Sequence, residues 1–437
     1  MSTLREEAVL AFRENRDEEA LGLLAEVVRR TPSDHRARMF GAQCLSRLKE
    51  TERALAVLET TAENLTLRNY LLSATLAVKL GLDIRPGEPR LAAVLQRIHA
   101  RAAASTRRAQ VPPPLPPDRP APAPADLLCA HLRGKELVHK AFEVLKSADD
   151  GAQAAVSARP PLPLFAFLDP QAFVDLVGRM QHREAVHGEE LVREGERGES
   201  IFIIVAGRAK VEREVHGQKK LLAMLPGGSL FGELALLTGG RRSATVTAEG
   251  ETELFEISQK DLEAVSRRFP EVPQAIAGYA EKRVAANLLV TAGLFDNLLA
   301  DKRAEVLDKF KPRTVAAGEN VVTEDAPASA LFMVMAGELT VSKKNPAGER
   351  VVMNLLCDGD VFGEISLLNG GPATATVTAV RKSVVALMSQ AEFQTLLRDS
   401  PGVAEYLRAL AEGRRKAIAD SMRPSEVLDA EGLVVEE

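Results

Sequence analysis

Phe231-Gly232-Glu233-Leu234-Ala235-Leu236-Leu237-Thr238-Gly239-Gly240-Arg241-Arg242-Ser243-Ala244 is the stretch that decides how this chain is read. Gly232 lets the backbone approach a bound group without a Cβ clash, and a short helical turn after it aims amide dipoles at an anion. Glu233 is an acceptor for a ligand hydroxyl, Leu234 and Ala235 supply amides, and Arg242 brings a guanidinium fork suited to phosphate. Apolar Leu236 and Leu237 anchor the turn in whatever core lies beneath.

That core is predicted to be β-structure. Ser200-Ile201-Phe202-Ile203-Ile204-Val205 and Lys210-Val211-Glu212-Arg213-Glu214-Val215 are β-rich runs separated by Ala206-Gly207, with further short strands at turn-bounded intervals. A β-barrel or jelly roll flanked by helices follows. The arrangement occurs twice. Gly188-Glu189-Glu190-Leu191-Val192-Arg193-Glu194 returns 130 residues later as Gly318-Glu319-Asn320-Val321-Val322-Thr323-Glu324, and Phe231-Gly232-Glu233 returns after 131 as Phe362-Gly363-Glu364. Each copy ends in a helical stretch, near Gln259 to Lys282 and Gln390 to Met422.

Phe-Gly-Glu-Leu-Ala-Leu-Leu followed by Arg-Ser-Ala-Thr-Val resembles the phosphate-binding cassette of cyclic-nucleotide-binding domains. The tandem layout, over roughly residues 163 to 415, is similar to the regulatory subunit of cyclic-AMP-dependent protein kinase. The resemblance places Arg242, not Arg241, at the arginine position. It implies a cyclic nucleotide as allosteric ligand, with Gly232, Glu233, Leu234, Ala235, Arg242, Ser243 and Ala244 around it. Cyclic AMP is the first expectation, although the Ser243 hydroxyl can reach the amino group of a syn guanine, so cyclic GMP stays open. A lid over the base is expected from the helix after the strands, with Tyr279, Leu288 and Leu289 as candidates.

The second copy departs where it matters. Phe362-Gly363-Glu364-Ile365-Ser366-Leu367-Leu368 is intact, but Asn369-Gly370-Gly371-Pro372-Ala373-Thr374-Ala375 places Ala373 where the first copy has Arg242. Asp325 and Ala328 stand where the first copy has Gly195 and Gly198. Losing a charge-assisted bidentate contact costs about 1.5–3 kcal/mol, or roughly ten- to a hundredfold in affinity. The expectation is an asymmetric pair, in which one domain binds and the other transmits or dimerises. Lys343, Lys344 or Arg350 on a neighbouring strand is the alternative source of a cation.

The N-terminal segment has apolar residues recurring at three and four and an internal echo, so it is predicted to be helical. Glu18-Glu19-Ala20-Leu21-Gly22-Leu23-Leu24 returns after 34 residues as Glu52-Arg53-Ala54-Leu55-Ala56-Val57-Leu58, and Pro32 closes the first unit. That spacing, with small Ala8, Ala20, Ala42 and Ala54, resembles tetratricopeptide (TPR) repeats, although the large aromatic positions of that family are missing; a small helical bundle is the alternative. A third unit is expected from Tyr70 to Ile98, and either form offers a surface to a protein partner. Between Val111 and Pro124, eight of fourteen residues are proline, which forbids a packed core and suits a spacer of up to roughly 40 Å.

The whole reads as a multidomain α + β chain. Residues 1–108 form TPR-like helices, 109–125 a proline-rich linker, 126–160 a helical connector, 161–287 domain A, 288–422 domain B and 423–437 an acidic tail. At 437 residues with 46% apolar residues, several cores are required. The net charge of −5 draws the chain neither to nucleic acid nor to an acidic membrane.

Cys44, Cys129 and Cys357 are isolated, so neither a disulfide framework nor a zinc site is expected, and no apolar run reaches the ~18 residues of a membrane span. With acids at Glu6 and Glu7 instead of a signal peptide's bases, a soluble, cytoplasmic, bacterial signalling protein is expected. The seven histidines have no metal-ligand spacing, and no nucleophile elbow or Walker loop occurs, so neither catalytic residues, cofactor nor metal are expected.

Two other functions weigh less. Arg107-Arg108-Ala109-Gln110-Val111 has the look of a kinase pseudosubstrate but is equally a cationic helix end. A DNA-binding activator needs a helix-turn-helix and a basic face, where this chain has an acidic tail. An interaction scaffold that has kept the fold without binding a ligand is the main rival.

Overall fold

The computed structural model describes residues 3–104, 128–129, 132–147, 168–215, 218–238, 240–277, 292–295, 298, 300–345, 348–421, 427–428 and 434–435. The proline-rich segment, the Arg107–Val111 motif and the candidate lid residues Tyr279, Leu288 and Leu289 all lie outside them.

Six helices open the chain: α1 (Leu4–Arg13), α2 (Asp17–Arg30), α3 (His35–Arg47), α4 (Thr51–Leu67), α5 (Leu71–Ile84) and α6 (Pro89–Ala104). A capping box between Thr3 and Glu6 starts α1, and α2 carries Asp17, Glu18 and Glu19 in its first turn and Arg29 and Arg30 in its last, matching the helix dipole. Asn15 and Lys49, 34 residues apart, take left-handed φ values of 56° and 66° at equivalent turns, so the sequence period is a structural one. Ala8, Ala20, Ala42 and Ala54 are completely buried, where their lack of bulk lets successive helices close up. A seventh helix, α7 (Gly134–Lys146), packs on α2, α3 and α4. Arg38 of α3, itself buried, donates to the Leu145 and Ser147 carbonyls at its end.

Two eight-stranded jelly-roll sandwiches follow. Domain A contains β1 (Gln181–Ala185), β2 (Glu190–Val192), β3 (Ser200–Ala206), β4 (Arg208–Val215), β5 (Gln218–Pro226), β6 (Leu230–Phe231), β7 (Thr245–Ala248) and β8 (Thr252–Ser258). They form two antiparallel sheets in the orders β1-β8-β3-β6 and β2-β7-β4-β5. Domain B contains β9 (Lys311–Val315), β10 (Asn320–Val322), β11 (Ala330–Ala336), β12 (Glu338–Lys344), β13 (Arg350–Cys357), β14 (Val361–Phe362), β15 (Thr376–Ala379) and β16 (Ser383–Ser389). Its sheets run β9-β16-β11-β14 and β10-β15-β12-β13, the same order as in domain A. Of the barrel and the jelly roll, the structure takes the jelly roll: two stacked sheets with open edges.

β3 is apolar on both faces for a reason. Side chains alternate along a strand. Phe202 and Ile204 point into the sandwich of domain A, whereas Ile201, Ile203 and Val205 join a second core shared with α1–α7 and helix Pro170–Arg179. β11 repeats the pattern, with Phe332 and Val334 inside and Leu331 and Met333 under the C-terminal helices Gln390–Asp399 and Pro401–Ser421. A strand covered on both sides loses its polar face.

The expectation of a spacer holding the two halves apart fails here. The helical region sits directly on domain A, because the outer face of β3 must be covered and these helices cover it. Lys79 Nζ donates to the Gly178 carbonyl at 3.2 Å, and His99 Nε2 lies 2.7 Å from the Leu168 carbonyl oxygen. Arg36 bridges to Glu253 (2.5 Å) and Glu251 (2.6 Å) on domain A. Among the described residues no helix is long and apolar enough to cross a membrane.

Candidate functional site

In domain A, β6 delivers the chain beside β3, with the Phe231 ring stacked on Phe202 at 5.0 Å. Gly232 follows at φ +86°, and a Cβ there would fall 2.5 Å from Arg242 Nη1 and 2.9 Å from the Ser200 carbonyl oxygen, so only glycine fits. The short helix Glu233–Thr238 begins at once. Glu233 is buried, and so is Ala235.

Arg242 is the pivot of this corner. Its backbone is pinned on both sides: its amide donates to the Glu196 carbonyl at 2.7 Å, and its carbonyl accepts from the Gly195 amide at 2.9 Å. The buried guanidinium donates through Nη1 to the Gly232 carbonyl (2.9 Å) and through Nη2 to the Ser200 carbonyl (2.8 Å), with the Phe202 ring 5.7 Å away. Burial pulls its pKa below the ordinary arginine value, partly offset by the charges of Glu233, Glu256 and Glu196. The guanidinium is thus desolvated, its fork held by two carbonyl oxygens with carboxylates nearby.

Arg241 points away. It is exposed and donates to the Gly195 carbonyl at 2.7 Å. Ser243 is half-buried and Ala244 buried behind Arg242. Leu234 leaves the corner and packs against the core cluster of domain B, which includes Ala292, Leu294 and Phe295. The side chains of Leu236 and Leu237 lie outside the described ones.

Domain B reproduces the backbone of this corner without its cation. Phe362 stacks on Phe332 at 5.0 Å, Gly363 sits at φ +89°, and helix Glu364–Asn369 follows. Ala373 donates to the Ala326 carbonyl (2.8 Å) and accepts from the Asp325 amide (2.9 Å), the bonds that Arg242 makes with Glu196 and Gly195. The two positions are therefore equivalent in space, and the guanidinium is missing from the second. Asp325 keeps the left-handed backbone of Gly195, φ 66° against 81°, which an aspartate tolerates.

The cation that approaches this corner comes from elsewhere. Arg414, on helix Pro401–Ser421, donates through Nη1 to Glu364 Oε1 (2.9 Å) and to the Val361 carbonyl (2.6 Å). Glu364 is buried. Lys343, the alternative raised by the sequence, is paired with Glu324 Oε1 (2.9 Å) and the Thr374 carbonyl (2.8 Å), and Arg350 Nη1 lies 3.5 Å from the Ser342 hydroxyl. A cavity of about 480 Å³ lies between cassette and helix, lined by Ile365, Ser366, Ala373, Thr374, Ala375 and Arg414 among others.

Two further clusters lie away from the cassettes. His182, Glu184 and Glu253 bring donor atoms within 4.8 Å of one another, although Glu253 is distant in sequence from the other two. The Arg36 guanidinium occupies that cluster, with Glu253 at 2.5 Å, and makes it an ion-pair network joining helices to domain A. His187 Nδ1 accepts the Gly250 amide at 3.1 Å, a turn-closing role.

Twin eight-stranded jelly rolls, each carrying a glycine-glutamate turn against a stacked phenylalanine pair, make a tandem of one fold. Residues 182–269 and 312–400 both match the family model of the cyclic nucleotide-binding domain. The chain thus carries two cyclic nucleotide-binding domains in tandem.

Among curated proteins it is 30% identical over 235 residues to the cAMP-dependent protein kinase regulatory subunit of Yarrowia lipolytica, covering 54% of this chain and 58% of that one. It is 26% identical over 247 residues to human cGMP-dependent protein kinase 2, covering 56% of this chain and 30% of that one. The match thus spans about half or less of these relatives' length. Among solved structures, the regulatory domain of Toxoplasma gondii PKA with cAMP is 25% identical, covering 57% of this chain and 92% of that one, with a TM-score of 0.28.

Arg414 was not legible as a site residue, because it lies 50 positions beyond Glu364 in a helix of ordinary amphipathic composition. The part played by Gly198 was equally hidden. A Cβ there would fall 3.0 Å from Arg242 Cζ and 2.3 Å from the Ala235 Cβ.

Proposed function

We propose that this chain is a cyclic-nucleotide-responsive regulatory protein, without catalysis of its own, in which domain A binds one cyclic nucleotide. The observation that supports this most is Arg242, a buried guanidinium held against Gly232 beside the buried carboxylate of Glu233. A cyclic phosphodiester suits that pair. Its single charge exchanges with a carbonyl on the guanidinium fork, the amides of Leu234 and Ala235 face it at the start of the turn, and Glu233 accepts the ribose 2′-hydroxyl. The names of the curated relatives favour the same ligand class, with cyclic AMP first and cyclic GMP second.

Transmission is proposed to run through Leu234, which leaves the cassette for the core of domain B. A second contact joins the domains where Arg213 Nη1 donates to the Asp358 carbonyl at 3.3 Å. Ligand entry that moves the cassette biases both. The helical region, TPR-like in period, is proposed as the surface for a protein partner, and its direct seating on domain A places it to respond. Calorimetric titration with cyclic AMP and cyclic GMP tests the binding half. Heat and saturation with one of them support it, and no binding of either leaves an interaction scaffold.

A further inference from the structure

We propose that the groove walled by α2, α3 and α4 is a receptor for an amphipathic helix of a partner protein, and that α7 is the chain's own stand-in, which the partner displaces. The inference rests on the reading of the helical region as a partner surface.

The groove is shaped for a helix. Gly41 of α3 faces α7, and a Cβ there would fall 2.6 Å from Leu145 Cδ1; at Gly22 of α2 a Cβ would already touch Leu137 Cδ1 at 3.5 Å. Two leucines of α7 thus fill two glycine sockets. The repeat does not call for these glycines: the residues 34 positions away are Glu7 and Thr75 for Gly41 and Ala56 for Gly22. The positions that close successive helices hold Ala8, Ala20, Ala42 and Ala54 instead. A glycine weakens a helix interior, and in α2 and α3 it is accounted for by what sits against it.

The end of the occupant is recognised through its backbone. Arg38 of α3 is buried and donates through Nη1 to the Leu145 carbonyl and to the Ser147 carbonyl (3.0 Å) at the C-terminus of α7. Every helix ends in carbonyls without intrahelical partners and carries partial negative charge there, so this contact suits any helix seated in the same direction. Two residues earlier, Arg36 is anchored on Glu251 and Glu253 of domain A. That anchor holds the α3 wall in place without α7.

α7 is suited to leave. Helices α1–α6 stack in chain order, each on the next, and α7 lies outside that series, back on α2, α3 and α4. It buries one stripe, Leu137, Val138, Ala141 and Leu145, while Lys135, Glu136, His139, Lys140 and Glu143 are exposed. Residues 105–127 and 148–167 flank its segment, and at up to about 3.5 Å per residue either is long enough to free the helix. The stripe also defines the partner: an amphipathic helix of about three turns, with leucine, alanine and leucine at four-residue intervals and an apolar residue after the first leucine.

The test uses the full-length chain and a labelled synthetic peptide of residues 132–147, read by fluorescence anisotropy. Leu137→Asp with Leu145→Asp disables the resident helix, and this double variant should bind the peptide saturably. The unaltered chain should bind it roughly tenfold more weakly or less, because tethered α7 competes at high effective concentration. Adding Gly41→Leu to the double variant plugs the socket and should abolish binding, with circular dichroism checking that each variant stays folded. Hydrogen exchange on the unaltered chain needs no substitution: α7 amides should exchange roughly tenfold faster or more than those of α3 and α4.

The proposal is overturned if the folded double variant does not bind the peptide, if Gly41→Leu leaves binding intact, or if the unaltered chain binds as tightly as the double variant. It is also overturned if α7 exchanges only together with α3 and α4, a result that stands whether or not the variants fold. A partner protein that binds the helical region undiminished by Gly41→Leu would keep the wider reading of that surface and overturn this one.

Discussion

Gly198 and Arg242 occupy one space: a Cβ on residue 198 would lie 3.0 Å from the guanidinium carbon of residue 242 and 2.3 Å from the Ala235 Cβ. The glycine admits both the cassette turn at Ala235 and the guanidinium. Domain B, which has lost the arginine, has also lost the glycine, with Ala328 and Ala373 in the two places.

Gly198→Ala should therefore act as a site mutation without touching a ligand group. The added methyl displaces either the cassette turn or the guanidinium, an overpacking cost of about 1–3 kcal/mol. Cyclic nucleotide affinity is expected to fall roughly tenfold or more, measured by calorimetry. The reciprocal change Ala328→Gly alone should leave cyclic nucleotide binding unaltered, because no guanidinium is waiting for the space.

Grafting the pair should rebuild the second site. Ala373→Arg alone is expected to misplace its side chain against the Ala328 methyl, whereas Ala328→Gly with Ala373→Arg should give a second cyclic nucleotide equivalent per chain. Stoichiometry by calorimetry reads the difference between the single and double variants.

Arg414→Ala should destabilise domain B by about 1–3 kcal/mol, because it strips the partner from a buried carboxylate. Combining it with Glu364→Gln removes the stranded charge and should recover much of the loss. Denaturant unfolding of the single and double variants checks this. A cost unaffected by Glu364→Gln would mean that the pair does not latch the helix.

Acid should loosen the joint between the helical region and domain A. Glu253 on β8 is faced by Arg36 on α3 and by His182 and Glu184 on β1, with Arg5 and Arg13 of α1 pairing the nearby Glu251. Burial pushes the Glu253 pKa up, but the His182 and Arg36 contacts outweigh it and hold it below the usual carboxylate range. A depressed carboxylate contributes stability that is fully present above its unfolded pKa, about 4.3, and is lost as pH falls through the folded value. Glu184 opposes this, since burial and the charge of Glu253 raise its pKa. The melting temperature is expected to drop between about pH 5 and pH 3, and Glu253→Gln should lower it at neutral pH and flatten the acid slope.

How much of this was legible beforehand follows from where each interaction lies along the chain. The cassette is local: Phe231 to Ala244 contains its own glycine, carboxylate and guanidinium, and the strand alternation around it is a property of neighbours. The duplication showed at once that Ala373 replaces Arg242, and the hydrogen bonds to Asp325 and Ala326 place the two residues alike.

Distant pairings left no such trace. Arg414 meets Glu364 across a helix packing, and Gly198 meets Arg242 across a sandwich corner, so neither produces a motif. The seating of the helices on β3 was hidden for the same reason. Ile201, Ile203 and Val205 announced that the outer face of the strand is covered, but not by which part of the chain.

The central claim is that two domains of one fold give one cyclic nucleotide site. Calorimetric titration of the full chain with cyclic AMP, alongside the Arg242→Ala variant, measures it directly. The account predicts one equivalent per chain, with binding weakened by about tenfold to a hundredfold or lost in the variant; two equivalent sites, or undiminished binding without Arg242, would contradict it.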